Sequence, residues 1–296
     1  MSLHWLAVHL GTVRLSMGTS WVTILALFGA AVAWAEDPRE IVRRSIAQDQ
    51  LDWTRMKDYT WQAHSLERHF DSHGNVQSTK QEKWETLILD GQPHRRMLER
   101  DGKPLSSQEQ LSEQKKLDQA ARKLSSETPA EKQHRLEEVE RLRKREFAFL
   151  SEIPDLFDLR MEAESTVGGR PVWVISGAPR PGAQPRSHDA KLLLKVRGRM
   201  WIDKATYQLA KVEAQTTGTI SWGLFLARLN PGAQLTFEQA PVSDELCLPK
   251  RLFMIGSGRL GLLKRVAQDE EIQWSNYRKF SVESRVLTDQ PPRTKK

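Results

Sequence analysis

Apolar and polar positions alternate along this chain with two different periods, and the places where the period changes mark its elements. Over Asp37–Asp52, Ile41, Ser45, Ile46 and Gln50 recur between charged positions at helical spacing, which predicts a short helix. The texture then turns to strands. Tyr59–Phe70 and Gln81–Leu89 are joined by the turn-forming run Asp71-Ser72-His73-Gly74-Asn75. A third strand, Pro93–Arg100, lies between Asp90-Gly91 and Asp101-Gly102, pairs that adopt the positive backbone angles of tight turns.

Residues 105–152 break this pattern. They are rich in Glu, Gln, Lys and Arg, contain no glycine, and hold one proline, Pro129. Thr128-Pro129-Ala130-Glu131 reads as a capping box with proline at the first helical position, so the stretch divides into two helices. The second carries Leu136, Val139, Phe147 and Leu150 on one stripe. Glu131–Arg135, Glu137–Arg141 and Glu140–Lys144 are spaced for ion pairs one turn apart. An apolar stripe of about two heptads is too short for a sustained coiled coil, which leaves an αα hairpin inserted between strands.

Strands resume after Ile153-Pro154. Phe157, Leu159, Met161 and Ala163 alternate with Asp158, Arg160, Glu162 and Glu164, and Gly168-Gly169 turns this strand into Pro171–Ala178. Ser187–Val196 reads as a short helix. Arg199–Asp203 and Tyr207–Gln215 read as a hairpin, and Ala233–Gln239, Glu245–Ile255, Arg259–Ala267 and Glu270–Phe280 as further strands. Consecutive hairpins predict one antiparallel sheet. About ten strands in a single sheet curl strongly or close. Their half-polar pattern puts one face against water and the other against an apolar interior crossed by the helices.

The N-terminus is different again. Met1–Ala35 carry one charge, Arg14, and end in the apolar run Trp21–Ala35 with the small-x-small sequence Ala33-Trp34-Ala35 before Glu36-Asp37-Pro38. This is the pattern of a secretory signal peptide cleaved after Ala35. The uncharged stretch reaches back to Leu15, so an uncleaved N-terminal inner-membrane anchor is the alternative. The expected organisation is a signal peptide over 1–35, a folded domain over 36–285 with the charged helical insertion at 105–152, and a disordered basic tail over 286–296. Export makes nucleic acid an unsuitable partner for the formal charge of +7, which suits anionic headgroups or acidic envelope polymers instead. A monomer is expected. The single cysteine, Cys247, excludes an internal disulfide framework and reads as a buried, inert thiol.

A search for chemistry finds no nucleophile elbow, no zinc-protease helix motif, no phosphate-binding loop and no metal-ligand spacing. His64 and His69 differ by an odd number, so on one strand they face opposite sides, and His73 is too far along to complete a site. No catalytic residue, metal or cofactor is expected.

Several segments together resemble a known family. They are the export signal, the charged helices, Gly198-Arg199-Met200-Trp201-Ile202-Asp203-Lys204 with Gln208–Glu213, Leu248-Pro249-Lys250-Arg251, and Asn276-Tyr277-Arg278-Lys279-Phe280. Over Tyr59–Phe280 the chain resembles the outer-membrane lipoprotein-sorting (LolA/LolB-like) superfamily, especially its larger envelope members. The resemblance implies an α+β fold. Its sheet would be a strongly curved antiparallel half-barrel with helices over the concave face. It also implies a non-enzymatic periplasmic carrier for lipid or lipoprotein acyl chains, with a lipid-sensing module that docks an inner- or outer-membrane protein as the alternative. In such a half-barrel Trp61, Trp84, Phe157, Trp173, Trp201, Phe237, Phe253 and Trp274 are the expected groove lining. Trp222, Leu224, Phe225 and Leu226, set between glycines, are the expected lid or membrane-contact loop. Leu260, Leu262 and Leu263, followed by Lys264 and Arg265, repeat that pattern more weakly. Arg95, Arg96, Lys264 and Arg265 are the expected basic rim.

Overall fold

Asp37 starts the fold. Its carboxylate accepts the Arg39 N–H at 2.9 Å and Pro38 occupies the first helical position, so α1 (Pro38–Met56) begins with a filled cap. The computed structural model describes residues 36–222, 227–243, 246–260 and 264–279. All lie in one compact unit, Glu36–Lys296. The expected signal segment and the expected basic tail lie outside the described residues.

After α1 come β1 (Tyr59–Phe70), β2 (Val76–Leu89), β3 (Gln92–Arg100) and the short β4 (Lys103–Pro104). The helices α2 (Ser107–Ser125), α3 (Pro129–Ser151) and α4 (Ile153–Leu156) follow, then β5 (Phe157–Met161), β6 (Ser165–Val167) and β7 (Arg170–Pro179). A 3-10 helix at Asp189–Lys195 leads into β8 (Val196–Asp203), β9 (Leu209–Thr216), β10 (Ile220–Trp222) and β11 (Ala227–Leu229). The chain continues through β12 (Gln234–Ser243), β13 (Leu246–Leu260) and β14 (Lys264–Lys279).

These strands form one antiparallel sheet in the order β4-β3-β2-β1-β14-β13-β12-β9-β8-β7-β5, with β6 on β7 and the β10–β11 hairpin on β13. The sheet is open, so the fold is the α+β half-barrel that the resemblance implied. β4 and β5 stand at the two ends of the strand order, and α2, α3 and α4 carry the chain from one to the other. The charged helices are therefore the strap between the two edges.

The strap is well capped. Ser106 with Glu109 and Thr128 with Glu131 both form complete capping boxes. The expected apolar stripe on α3 does not behave as one. Leu136 and Val139 of that stripe are exposed, as is Leu142 beside them, Phe147 is half-buried, and Leu150 packs inward together with Phe149. The first half of α3 is held by ions instead: Arg135 reaches Glu127 at 2.8 Å and Asp90, in the β2–β3 turn, at 2.7 Å. Of the expected pairs only Glu140–Lys144 falls within ion-pair distance, at 4.0 Å; Arg141 and Arg143 turn back to Glu138 and Glu140.

One strand reading is corrected. Arg259–Ala267 is not a strand of its own. Its first residues end β13 and its last begin β14, which continues to Lys279. The segment between them, 261–263, is Gly-Leu-Leu, with no polar turn residue to mark the reversal.

Candidate ligand-binding site

Strand register decides which side chains share a face. Met200 stands opposite Val212, and Gly198 opposite Ala214. Ala214 in turn faces Leu235, Leu235 faces Met254, and Met254 faces Glu270. Directly opposed residues lie on the same side of a sheet, so these positions make one continuous surface from β8 to β14. The surface lines a cavity of about 700 Å³. Phe149 and Leu150 of α3, Ile153 of α4, Phe157 of β5 and Leu193 of the 3-10 helix close it from the helical side.

Glycines shape this lining. Gly198, Gly256 and Gly258 all border the cavity. A Cβ on Gly198 would strike the Glu213 carbonyl oxygen, and one on Gly258 the Arg228 carbonyl oxygen. Glycine alone permits so close an approach of the neighbouring backbone. The inward positions of the sheet are mostly aliphatic, with Gln268 and Glu270 on β14 and Arg228 and Arg259 on β11 and β13 among the polar residues that border the cavity. Glu67 lies directly opposite Glu270 on β1. Burial first, and the Glu67 charge second, push the Glu270 carboxyl above its usual range.

α1 covers the other half of the same face. Ile41 and Val42 pack on Ile175 and Ile202. Further along, Asp52 is 3% exposed and carries the main polar joint of the helix. It accepts Gln48 Nε2 at 2.9 Å, Gln208 Nε2 at 3.0 Å and the Cys247 N–H at 3.3 Å. Cys247 donates its thiol to Gln208 Oε1 at 3.2 Å, and burial pushes that thiol up from its ordinary pKa. Burial likewise raises the Asp52 carboxyl.

The expected groove residues separate into three groups. Phe157 is in the cavity lining. Trp61, Trp84, Trp173, Phe237 and Trp274 share its face but stand beside it. Trp84 and Trp274 flank the buried Ala63 from either side, Trp61 meets Tyr277 with ring centroids 6.2 Å apart, and Trp173 meets Tyr207 at 5.3 Å. Phe237 lies opposite Val212.

Trp201 and Phe253 are corrections. Their neighbours Ile202 and Met254 point to the helical side, so both rings point to the other. Trp201 packs with Val174 and Ala210 under the Lys211 ammonium, 4.7 Å from the ring, and Arg251 lies 5.5 Å from the Phe253 ring. Of the expected lid, Trp222 ends β10; Leu224, Phe225 and Leu226 lie outside the described residues, as do Leu262 and Leu263. In the expected rim, Arg96 pairs with Glu85 at 2.5 Å and Arg95 covers Trp84, both away from the cavity.

Sequence reasoning missed the aliphatic lining. Val212 and Ala214 belong to it, whereas Ala210, beyond the register shift in β9, packs on the other face with Val174 and Trp201. His64 and His69 stand on opposite faces of β1, and no group of three or more metal-ligating side chains assembles among the described residues. No helix among them is long and apolar enough to cross a membrane.

No family model matches the chain, and no curated protein matches it. It is similar to several solved structures at low identity. One, from Vibrio parahaemolyticus, is described as an outer membrane lipoprotein-sorting protein domain. It is 11% identical with a TM-score of 0.29, over 82% of this chain and 93% of that one. A LolA superfamily protein from Nitrosomonas europaea is 8% identical with a TM-score of 0.28, over 83% and 94%. The MucA/MucB complex of Pseudomonas aeruginosa gives 14% identity and a TM-score of 0.23, over 83% and 99%.

Proposed function

We propose that this protein is a carrier of the cell envelope that shelters an apolar or acylated ligand, a lipid or the acyl chains of a lipoprotein, in the cavity between sheet and strap. Residues 1–35 direct export to the periplasm, and 36–285 form the binding domain. The observation that carries this reading is the cavity itself. Its volume of about 700 Å³ falls within the usual range for ligand sites, and aliphatic side chains line it from five consecutive strands. Each methylene withdrawn from water there contributes about 0.8 kcal/mol, so an acyl chain gains affinity without any specific polar contact. The reading assigns no bond-making step to the protein.

Release follows from the strap. Phe149 and Leu150 wall the cavity from α3, and the first half of that helix is attached by ion pairs rather than by a core. Movement of the strap uncovers the cargo. Native mass spectrometry of the protein purified from envelope extracts tests this. Co-purifying lipid or lipoprotein supports the carrier; a protein that stays empty even when offered lipids overturns it.

A second reading rests on a different observation. Leu136, Val139 and Leu142 form an exposed apolar row on α3, and Leu111 of α2 is also exposed. That row suits a module that docks a membrane protein while sensing lipid in its cavity. Replacing Leu136, Val139 and Leu142 together by serine separates the two. Loss of partner capture with lipid binding intact favours the docking module, because none of the three lines the cavity.

A further inference from the structure

The strands at one end of the sheet bring together three arginines that are distant in sequence. β11 pairs with β13 so that Arg228 stands directly opposite Arg259, and β13 pairs with β14 so that Arg259 stands directly opposite Arg265. All three are exposed. Leu229, Gly258 and Val266 form the next directly opposed set on the same strands, so the arginine row takes the other, outer face, with Arg228 and Arg259 at the edge of the cavity. Like charges placed directly across a sheet repel one another.

Elsewhere on that face the sheet matches its charges. Arg251 pairs with Glu271 at 2.6 Å and Glu238 at 3.5 Å, and Arg68 pairs with Asp269 at 2.6 Å. At Arg259 and Arg265 the matching stops. Among the described residues no carboxylate lies within ion-pair distance of Arg259 or Arg265. The segments that connect these strands are apolar in sequence: Gly-Leu-Phe-Leu at 223–226 and Gly-Leu-Leu at 261–263. Two like charges directly opposed, with Arg228 next in line, fit a flat anionic partner rather than a single acidic side chain.

We infer that the row Arg228–Arg259–Arg265 is a docking surface for an anionic phospholipid bilayer. Planar guanidinium groups bind phosphate oxygens in pairs, and three of them in register across adjacent strands present a line of such forks to a layer of headgroups. Binding offsets the repulsion between Arg259 and Arg265. Arg228 and Arg259 also border the cavity, which sets its rim near the bilayer when the row is engaged. Docking does not depend on what the cavity holds.

The test is co-sedimentation of the Glu36–Lys296 unit with phosphatidylcholine vesicles and with vesicles of equal parts phosphatidylcholine and phosphatidylglycerol. Each basic residue near an anionic surface accounts for about a fivefold change in binding. The triple variant R228Q/R259Q/R265Q is expected to lose on the order of a hundredfold on the anionic vesicles. A control variant K115Q/R122Q/K123Q removes the same charge from exposed positions on α2 and is expected to change binding by less than about fivefold. Circular dichroism checks that both remain folded. Equal losses in the two variants would reduce the effect to net charge and overturn the proposal. So would unchanged binding in the first variant, or parent protein that fails to prefer anionic vesicles, as a site for an acidic protein segment would. Ligand content, read separately by mass spectrometry, keeps this result distinct from success or failure of the carrier reading.

Discussion

Gln208 donates its side-chain amide to Asp52 at 3.0 Å, joining the C-terminal half of α1 to the turn between β8 and β9 across the helical face of the sheet. The Cys247 N–H shares the same carboxylate oxygen, so Asp52 is the point where helix, hairpin and β13 meet. Removing it strands buried donors. Asp52→Ala is expected to destabilise the fold by about 2–4 kcal/mol, because each unsatisfied buried group costs about 1–3 kcal/mol. Asp52→Asn keeps an acceptor and removes a charge that burial disfavours, so its cost is smaller. Urea unfolding of the two variants checks the order.

The cavity predicts a directional effect of added bulk. Leu235→Trp projects a large ring into the space that a ligand would fill, and the open volume spares it most of the strain of an overpacked core. Binding of a fluorescent fatty-acid probe is expected to fall by about tenfold or more, the equivalent of displacing two methylenes or more. Phe253→Leu, on the other face, leaves binding unchanged. Equal effects of the two would remove the cavity from the mechanism.

Gly198 gives a test of the close approach between β8 and β9. A methyl group there meets the Glu213 carbonyl oxygen of the neighbouring strand, and backbone cannot step aside as a side chain can. Gly198→Ala is expected to cost about 1–3 kcal/mol by thermal or urea unfolding. Gly169 is a contrast, since its added Cβ meets no atom within 4 Å. Its positive φ of 78° is then its only source of strain.

These residues show where the sequence was legible. The bounds of β1 were readable to the residue from alternation and turn chemistry, and Pro129 divided the strap where the capping box sits. The half-barrel was readable from consecutive hairpins together with the resemblance. The phase of each strand was harder. In β9 a register shift at Ala210 reverses the phase, so Val212 and Ala214 face the cavity while Ala210 packs with Trp201 on the other face. The cavity was least legible because it is made by what is missing. Glycine and alanine leave space, and a search weighted toward large rings passes over them. The arginine row depends on the pairing of β11 with β13, a contact between segments about thirty residues apart that no local pattern encodes.

The α3 row makes a prediction that separates sequence from structure. A packed stripe would lose about 2–5 kcal/mol on truncation of a leucine. In the fold Leu136 is 41% and Leu142 52% exposed, so Leu136→Ala and Leu142→Ala are expected to stay within about 0.5 kcal/mol of the parent. Leu156→Ala, at a position 3% exposed beside Phe157, carries the full core penalty. Thermal unfolding of the three variants decides it.

Acid should loosen the strap before it loosens α1. Glu109 and Glu131 in the capping boxes, Glu113 beside Lys116 and Asp90 beside Lys132 all have carboxyls held below their usual range by hydrogen bonds and cations. For a lowered acid the stabilisation is present above its unfolded pKa and is lost as pH falls through the folded value. Asp49 and Asp52 in α1 have the opposite sign. Burial raises them, so the native state takes up protons before the unfolded chain does, and falling pH relieves a buried charge. Hydrogen exchange followed from neutral pH down through the carboxylate range, corrected for intrinsic rates, is expected to show protection lost first in α2 and α3. The C-terminal half of α1 keeps its protection over the same range. Uniform loss across all three helices would mean that these carboxylates act together through the global fold and not as local fastenings of the strap.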